Sequence, residues 1–282
     1  MNYVILNGQI LERNEAKVDI EDRGYQFGDG IYEVIRVYNG TFFTADEHLT
    51  RLFESAEKIG MTLPCTFEEL KNLLASLVQR NKVNDGIIYL QFSRGVAARQ
   101  HHYPDKNVEP AFTAYTKEMP RPKDKLENGV QAKLVEDVRW LRCDIKSLNL
   151  LGNIMAKQEA AEAGCFEAIL HRGDKVTEGS SSNMFIVKDG TIKTHPATNL
   201  ILNGITRRVI LDICKEQNIP VQEEEFTVEE LLSADEIFLA STTSEVMPIV
   251  KVTGGEFEAG EPGEITKKLQ AVFEKKITQQ CG

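Results

Sequence analysis

Apolar and polar positions change period several times along the chain, and each change marks an element. Ile31 to Tyr38 reads as a strand, Asn39-Gly40 is a two-residue hairpin signal, and Thr41 to Phe43 begins the return strand. Helical spacing then takes over at Leu49, Leu52, Ala56 and Ile59, behind a capping box at Thr44-Ala45-Asp46-Glu47 and ahead of Gly60. A second capping box, Thr66-Phe67-Glu68-Glu69, opens a helix to about Val83, and strands return over Gly86 to Phe92 and Ala111 to Tyr115. The opening residues, Met1 to Gly8, read as a strand entering a turn.

Every period breaks over Glu118-Met119-Pro120-Arg121-Pro122-Lys123-Asp124-Lys125, with its two prolines and several charges. This places an interdomain linker at 120–127, between a smaller N-terminal α/β domain (1–119) and a larger C-terminal mixed domain (128–282). Beyond it, Val130 to Val135 is a strand and Leu150 to Ala163 a helix stopped by Gly164. Glu167 to His171, Ser182 to Val187 and Thr191 to Thr194 read as successive antiparallel strands, with turns at Arg172-Gly173-Asp174 and Asp189-Gly190. A helix runs from about Asn203 to Gln217, and a third capping box at Thr227-Val228-Glu229-Glu230 opens a short helix. Glu236 to Ala240 is a strand, and a last helix spans Glu264 to Ile277. The expected class is α+β in two domains, without internal repeats or low-complexity segments.

A chain of 282 residues, 41% hydrophobic and 27% charged, builds a globular core of ordinary composition. No run nears the roughly 20 apolar residues a membrane crossing needs, and the start reads as no secretory signal. A net charge of −10 argues against a nucleic-acid surface, so an anionic ligand must be held by a few local cations. The five cysteines are odd in number, widely spaced and form no C-x-x-C pair, which suggests reduced thiols in a cytoplasmic protein.

Familiar site motifs fail one by one. Gly28-Asp29-Gly30 with Glu33 is not G-x-G-x-x-G, and Gly179-Ser180-Ser181-Ser182-Asn183 lacks both the closing glycine of a nucleophile elbow and the lysine of a P-loop. His101 and His102 are adjacent, and no glutamate has an H-E-x-x-H setting, so no metal is expected.

What remains suits pyridoxal phosphate, which needs an amine to hold it as an imine, an acid at its ring nitrogen and donors for its phosphate. Lys146 lies between Ile145 and Leu148, with Leu150 and Leu151 beyond. Burial there would free its amine to attack a carbonyl, since a fully buried lysine loses roughly 3 to 5 pKa units. Glu178, in a small-residue turn, is the candidate acid; taken alone it also fits a solvated turn glutamate. Ile205 and Thr206 sit at a predicted helix start with free N–H groups, and Thr242 and Thr243 follow a buried strand. Arg51 on the first long helix could grip an anion or simply pair with Asp46, Glu47 or Glu54. Arg99 and His101, two residues apart in a loop, suit a carboxylate, and equally suit solvent. Tyr32 and Glu33 alternate on a strand and so face opposite sides unless the strand is bulged.

Asp22 to Glu33, Arg142 to Leu151 and Val176 to Asn183 together resemble the fold-type IV pyridoxal-phosphate aminotransferases, over nearly the whole chain. Arg99-x-His101 resembles the members that act on D-amino acids rather than the branched-chain L-amino acid aminotransferases or aminodeoxychorismate lyases of the same fold. The resemblance implies a homodimer with cofactor in a cleft between two domains, Lys146 as the imine-forming lysine and proton shuttle, and Glu178 at the pyridine nitrogen. It also implies that Arg51, Ile205, Thr206 and Thr242 hold the phosphate and that Leu202 leans on the ring. Tyr32, Arg99 and His101 would bind the substrate α-carboxylate, the latter two across the dimer. Exchange between D-alanine and 2-oxoglutarate, giving pyruvate and D-glutamate, is the implied reaction. Gln100, His102, Cys143 and the tail from Gln279 receive no role.

Overall fold

The computed structural model describes residues 2–282; Met1, read above with the opening strand, lies outside them. The chain divides into two compact units. One comprises residues up to Pro120 together with Ile145–Asn149 and Gln279–Gly282; the other comprises Arg121–Asp144 and Leu150–Thr278. Both mix helices and strands, in keeping with the expected α+β class.

The first unit runs β1 (Tyr3–Leu6), β2 (Gln9–Glu12), α1 (Arg23–Phe27), β3 (Gly30–Tyr38), β4 (Thr41–Phe43), α2 (Ala45–Lys58), α3 (Phe67–Arg80), β5 (Gly86–Ser93) and β6 (Ala111–Glu118). Its sheet has the order β2-β1-β6-β5-β3-β4, with every pair antiparallel. Alternation along β3 sends Ile31, Ile35 and Val37 into one core with Leu49 and Leu52 of α2 and Leu70, Leu74 and Leu77 of α3. Glu33 has the same parity, so a carboxylate is carried onto the apolar face.

Two features of this unit position the chemistry. First, β4 pairs only with Arg36–Tyr38, which leaves the Gly30–Tyr32 edge of β3 open. Ile145–Asn149 closes it: Ser147 bridges Ile31, the Tyr32 N–H donates to the Lys146 carbonyl at 3.0 Å, and the Leu148 N–H donates to the Gly30 carbonyl at 2.9 Å. Second, Gly28 caps α1 with φ +67°, and a Cβ on Gly30 would lie 2.4 Å from the Phe92 carbonyl oxygen and 2.8 Å from Leu148. The Gly28-Asp29-Gly30 run thus serves close packing of the lysine-bearing segment.

The capping box expected at Thr44 does not form. Thr44 is left-handed (φ 54°), and its hydroxyl donates to the Phe43 carbonyl, because the chain turns sharply out of the β3–β4 hairpin into α2. The boxes at Thr66 and Thr227 both form, the latter in the second unit.

The second unit runs α4 (Lys123–Asn128), β7 (Val130–Glu136), α5 (Leu151–Glu162), β8 (Glu167–Arg172), β9 (Lys175–Gly179), β10 (Asn183–Lys188), β11 (Thr191–Thr194), α6 (Ile205–Glu216), β12 (Val221–Glu223), α7 (Val228–Leu232), β13 (Glu236–Ser241), β14 (Glu245–Thr253), β15 (Phe257–Glu258) and, as far as Thr278, α8 (Glu264–Cys281). Its sheet has the order β12-β11-β10-β13-β14-β7-β8-β9, with β15 on β14; β11/β12, β14/β7 and β7/β8 are parallel.

Three sequence expectations change here. β9 occupies a stretch read as turn, so β8 pairs with β9 and not with β10. β14 was missed, since Pro248 interrupts its pattern; it pairs with β13, β7 and β15. The stretch read as a linker holds α4, with Leu126 buried, and Arg121, which forks onto Glu245 at 2.8 and 2.7 Å. Thr66→Ala, which removes the cap of α3, should lower stability by about 1 kcal/mol, measured by urea denaturation.

Candidate active site

Lys146 is half-buried. Its backbone is held by Tyr32, and its own N–H donates to Ser55 Oγ at 3.4 Å. Its Nζ lies 4.3 Å from the centre of the Tyr32 ring and has no hydrogen-bond acceptor among the described residues. Tyr32 stacks on Tyr89 (5.7 Å) and Tyr89 on Tyr115 (5.1 Å), an aromatic ladder across β3, β5 and β6 that fixes the surface beneath the amine. The amine is therefore presented on a rigid aromatic platform and is less enclosed than the flanking apolar residues suggested.

Arg51 is buried on α2, where it pairs with Glu33 of β3. Its Nε and one terminal nitrogen fork onto Glu33 at 2.6 and 2.9 Å, and His48 Nδ1 meets the same carboxylate at 2.7 Å. Burial alone would raise the Glu33 carboxyl, but Arg51 and then His48 hold it far below the ordinary range. Burial pushes His48 the other way, downward, only partly offset by Glu33. Glu33 and His48 escaped the sequence reading. The signal was the parity of Glu33 with Ile31 and Ile35, and the helical spacing of His48, Arg51 and Ser55 beside Leu49 and Leu52.

In the second unit Glu178 lies on β9, not in a turn. One carboxylate oxygen accepts from Arg139 at 2.6 Å; the other accepts from Asn183 Nδ2 and the Leu202 N–H, both at 3.1 Å. Burial raises this carboxyl and outweighs the Arg139 guanidinium beside it, leaving it at about 6. Arg139 is in turn forked by Asp137, whose carboxylate also accepts from Arg172 and Thr177 and is lowered to about 2. Arg139, Asp137 and Asn183 were not foreseen as site residues: Arg139 and Asp137 meet Glu178, Arg172 and Thr177 from 35 to 40 residues away, and Asn183, only five residues on, was read as part of the small-residue turn. The serines after Glu178 do not leave an open turn; their hydroxyls gather on Glu167.

Gly204 precedes α6 without a side-chain cap, and the N–H groups of Ile205 and Thr206 have no acceptor among the described residues. A Cβ on Gly204 would lie 2.1 Å from Asn183 Oδ1, so only glycine brings this helix start beside the Asn183–Glu178 pair. Leu202, through its N–H to Glu178 and its carbonyl to Asn183 (2.8 Å), ties the two together. Thr242 lies in the tight β13–β14 turn, closed by the Ser244 N–H on Ser241 Oγ at 3.1 Å. A buried acid near neutrality beside unpaired helix-start donors fits the ring nitrogen and phosphate of pyridoxal phosphate.

Arg99 and His101 are exposed. Both lean on Phe27, the guanidinium at 4.6 Å and the imidazole ring at 5.7 Å from its centre, and Arg23 pins the loop through the Gln100 carbonyl at 2.7 Å. Neither contacts Tyr32 among the described residues.

Residues 30–252 match the family described as amino-transferase class IV. The chain is 54% identical over 277 residues, 98% of both chains, to a D-alanine aminotransferase of Staphylococcus aureus, and 53% identical over 281 residues, 99% of this chain and 97% of the other, to one of Listeria monocytogenes. Among solved structures it is similar to the PLP form of a branched-chain amino acid aminotransferase from Thermobaculum terrenum, with a TM-score of 0.87 and 26% identity over 99% of this chain and 94% of that one.

Two outcomes follow from these charges. Glu33→Ala strands a buried guanidinium and should cost about 3–5 kcal/mol in denaturant titrations. Because the Glu178 carboxyl is raised, the fold favours its neutral form, and its contribution to stability, complete at low pH, is lost as pH rises through about 6. Glu178 is mostly ionised only above that value, and only an ionised carboxylate can pair with a protonated ring nitrogen. Affinity for pyridoxal phosphate should therefore fall on acidification through about pH 6, and Glu178→Gln should remove the inflection; absorbance titrations at a series of pH values check this.

Proposed function

The chain belongs to the class IV amino-transferase family, and on that premise we propose that it moves amino groups between D-amino acids and 2-oxo acids with pyridoxal phosphate as cofactor. D-Alanine and 2-oxoglutarate are the substrates on one side, pyruvate and D-glutamate on the other. The observation that carries this reading is the Lys146 amine, set 4.3 Å over Tyr32 with no acceptor to occupy it. The D-alanine reading is supported by identity of 54% to a relative so named, against 26% to the branched-chain enzyme, and by Arg99-x-His101.

When bound, pyridoxal phosphate supplies an electron sink that makes the α-proton of an attached amino acid acidic. Lys146 Nζ is assigned to bind the cofactor and to take the proton from the substrate α-carbon. Glu178 keeps a proton on the ring nitrogen, and Arg139, Asn183 and the Leu202 N–H hold both of its oxygens still. Arg51, the Ile205 and Thr206 amides and Thr242 are assigned to the phosphate, and Leu202 to the ring face. Glu33, itself met by His48, orients the Arg51 guanidinium. Tyr32, Arg99 and His101 are assigned to the α-carboxylate; its side relative to Lys146 sets the handedness of the amino acid.

A homodimer is supported by two features. Arg99 and His101 stand exposed without reaching Tyr32, and Val138, Trp140, Leu141, Leu151, Ile154 and Met155 expose large apolar side chains from two segments of the second unit. The partner copy would receive Arg99 and His101. A cytoplasmic location is supported by five free thiols; no helix is long and apolar enough to cross a membrane among the described residues.

The test is a visible spectrum of the purified protein with pyridoxal phosphate, before and after D-alanine. The cofactor band should shift with D-alanine and stay unchanged with L-alanine; the reverse would sink the D-specific reading. Lys146→Ala should lower turnover by at least about 10²–10⁴-fold. Arg99→Ala should raise KM for D-alanine about tenfold, the worth of one charged hydrogen bond, in steady-state assays. A monomer by analytical ultracentrifugation would contradict the dimer.

A further inference from the structure

Glu178 occupies an irregular point of β9. Along the β8–β9 ladder, His171 faces Val176 and Ile169 faces Gly179, so two steps on β8 span three on β9. The extra residue makes a bulge at Thr177–Glu178. Consecutive side chains of a regular strand point to opposite faces. Here the Thr177 hydroxyl donates to Asp137 at 2.9 Å while Glu178 accepts from Arg139, the partner of that same Asp137, at 2.6 Å. The bulge is what brings both to one ion-paired cluster.

What holds the bulge lies beyond it. Glu167, at the start of β8, is 2% exposed. Its carboxylate accepts from the hydroxyls of Ser180, Ser181 (3.1 Å) and Ser182 (3.0 Å), from the Ala168 N–H at 2.9 Å, and from Lys157 at 3.4 Å. The same turn is closed by the Gly179 N–H on the Ser182 carbonyl at 2.6 Å, by the Ser180 N–H on the Ala168 carbonyl at 3.2 Å, and by Asn153 on the Ser180 carbonyl at 2.8 Å. A Cβ on Gly179 would fall 2.2 Å from Ser182 Oγ, so the turn tolerates only glycine there. Glu178 and Asn183, which donates to it, flank this turn on either side. A buried carboxylate stays in place only while its donors stay with it, so the acid fixes the turn, the turn fixes the register Ile169–Gly179, and the register fixes the bulge.

Resting on the assignment of Glu178 to the cofactor's ring nitrogen, we propose that Glu167 is a positioning residue: by binding three consecutive serines it locks the β9 bulge that aims Glu178. It touches neither cofactor nor substrate. Its removal should loosen the aim of Glu178 and leave the lysine segment, in the other unit, as it is.

Glu167→Gln keeps the volume and one acceptor oxygen and removes the charge. Wild type and variant are compared by absorbance titration with pyridoxal phosphate, by the ¹⁵N shift of labelled ring nitrogen in the loaded protein, and by thermal unfolding. The expected result is a rise of about tenfold in the dissociation constant, the worth of one weakened charged contact. The ring-nitrogen shift should also move toward the unprotonated position. Ser181→Ala, which removes one donor at an exposed residue, should move both in the same direction by less, and it carries the test should Glu167→Gln not fold. A lowered melting temperature with unchanged dissociation constant and ring-nitrogen shift would mean that Glu167 is structural only, and would overturn the proposal. Failure of the wild-type protein to bind pyridoxal phosphate would instead overturn the functional reading, which keeps the two failures apart.

Discussion

The open edge of β3 is the constraint on which the first unit's chemistry depends. Backbone N–H and C=O groups inside a fold must be paired, and β4 is too short to pair with Gly30–Tyr32. A remote segment, 145–149, completes the pairing. Its register is set by two hydrogen bonds, from the Tyr32 N–H to the Lys146 carbonyl and from the Leu148 N–H to the Gly30 carbonyl, and that register alone puts the Lys146 side chain over Tyr32. A slip of one residue would turn the amine to the other face. The packing glycines and the aromatic ladder support this one alignment.

Buried acids organise the remainder. Glu33, Glu167, Glu178 and Asp137 are each below a tenth exposed in a chain of net charge −10, and each gathers donors from several elements. An isolated buried carboxylate is costly, so each acid dictates where its partners stand. The four differ in what the surroundings do to the proton. Arg51 and His48 keep Glu33 fully ionised, which makes it a fixed anchor for a cation. Burial raises Glu178 to about 6 despite Arg139, which suits an acid that must respond to a ring nitrogen. The two buried glutamates thus differ in kind: Glu33 stays ionised, while Glu178 changes protonation near pH 6.

Much of the fold was legible from periodicity. The Asn39-Gly40 hairpin, α2, α3, α5, α6 and the capping boxes at Thr66 and Thr227 follow from local rules. β9 and β14 did not, because the small-residue run that follows the one and Pro248 inside the other hide an extended backbone. The Thr44 box failed for a similar reason: a backbone angle imposed by the hairpin overrode a side-chain preference.

By itself the sequence determined which residues carry reactive groups, which faces of helices and strands are apolar, and which known family the motifs resemble. Only the tertiary structure decided that Arg51 serves Glu33, that Arg139 and Asn183 hold Glu178, and that three serines close on Glu167. The physical reason is one of range. Propensity and periodicity act over a few neighbouring residues, whereas the partner of a buried charge is chosen by the three-dimensional packing that excludes water from it.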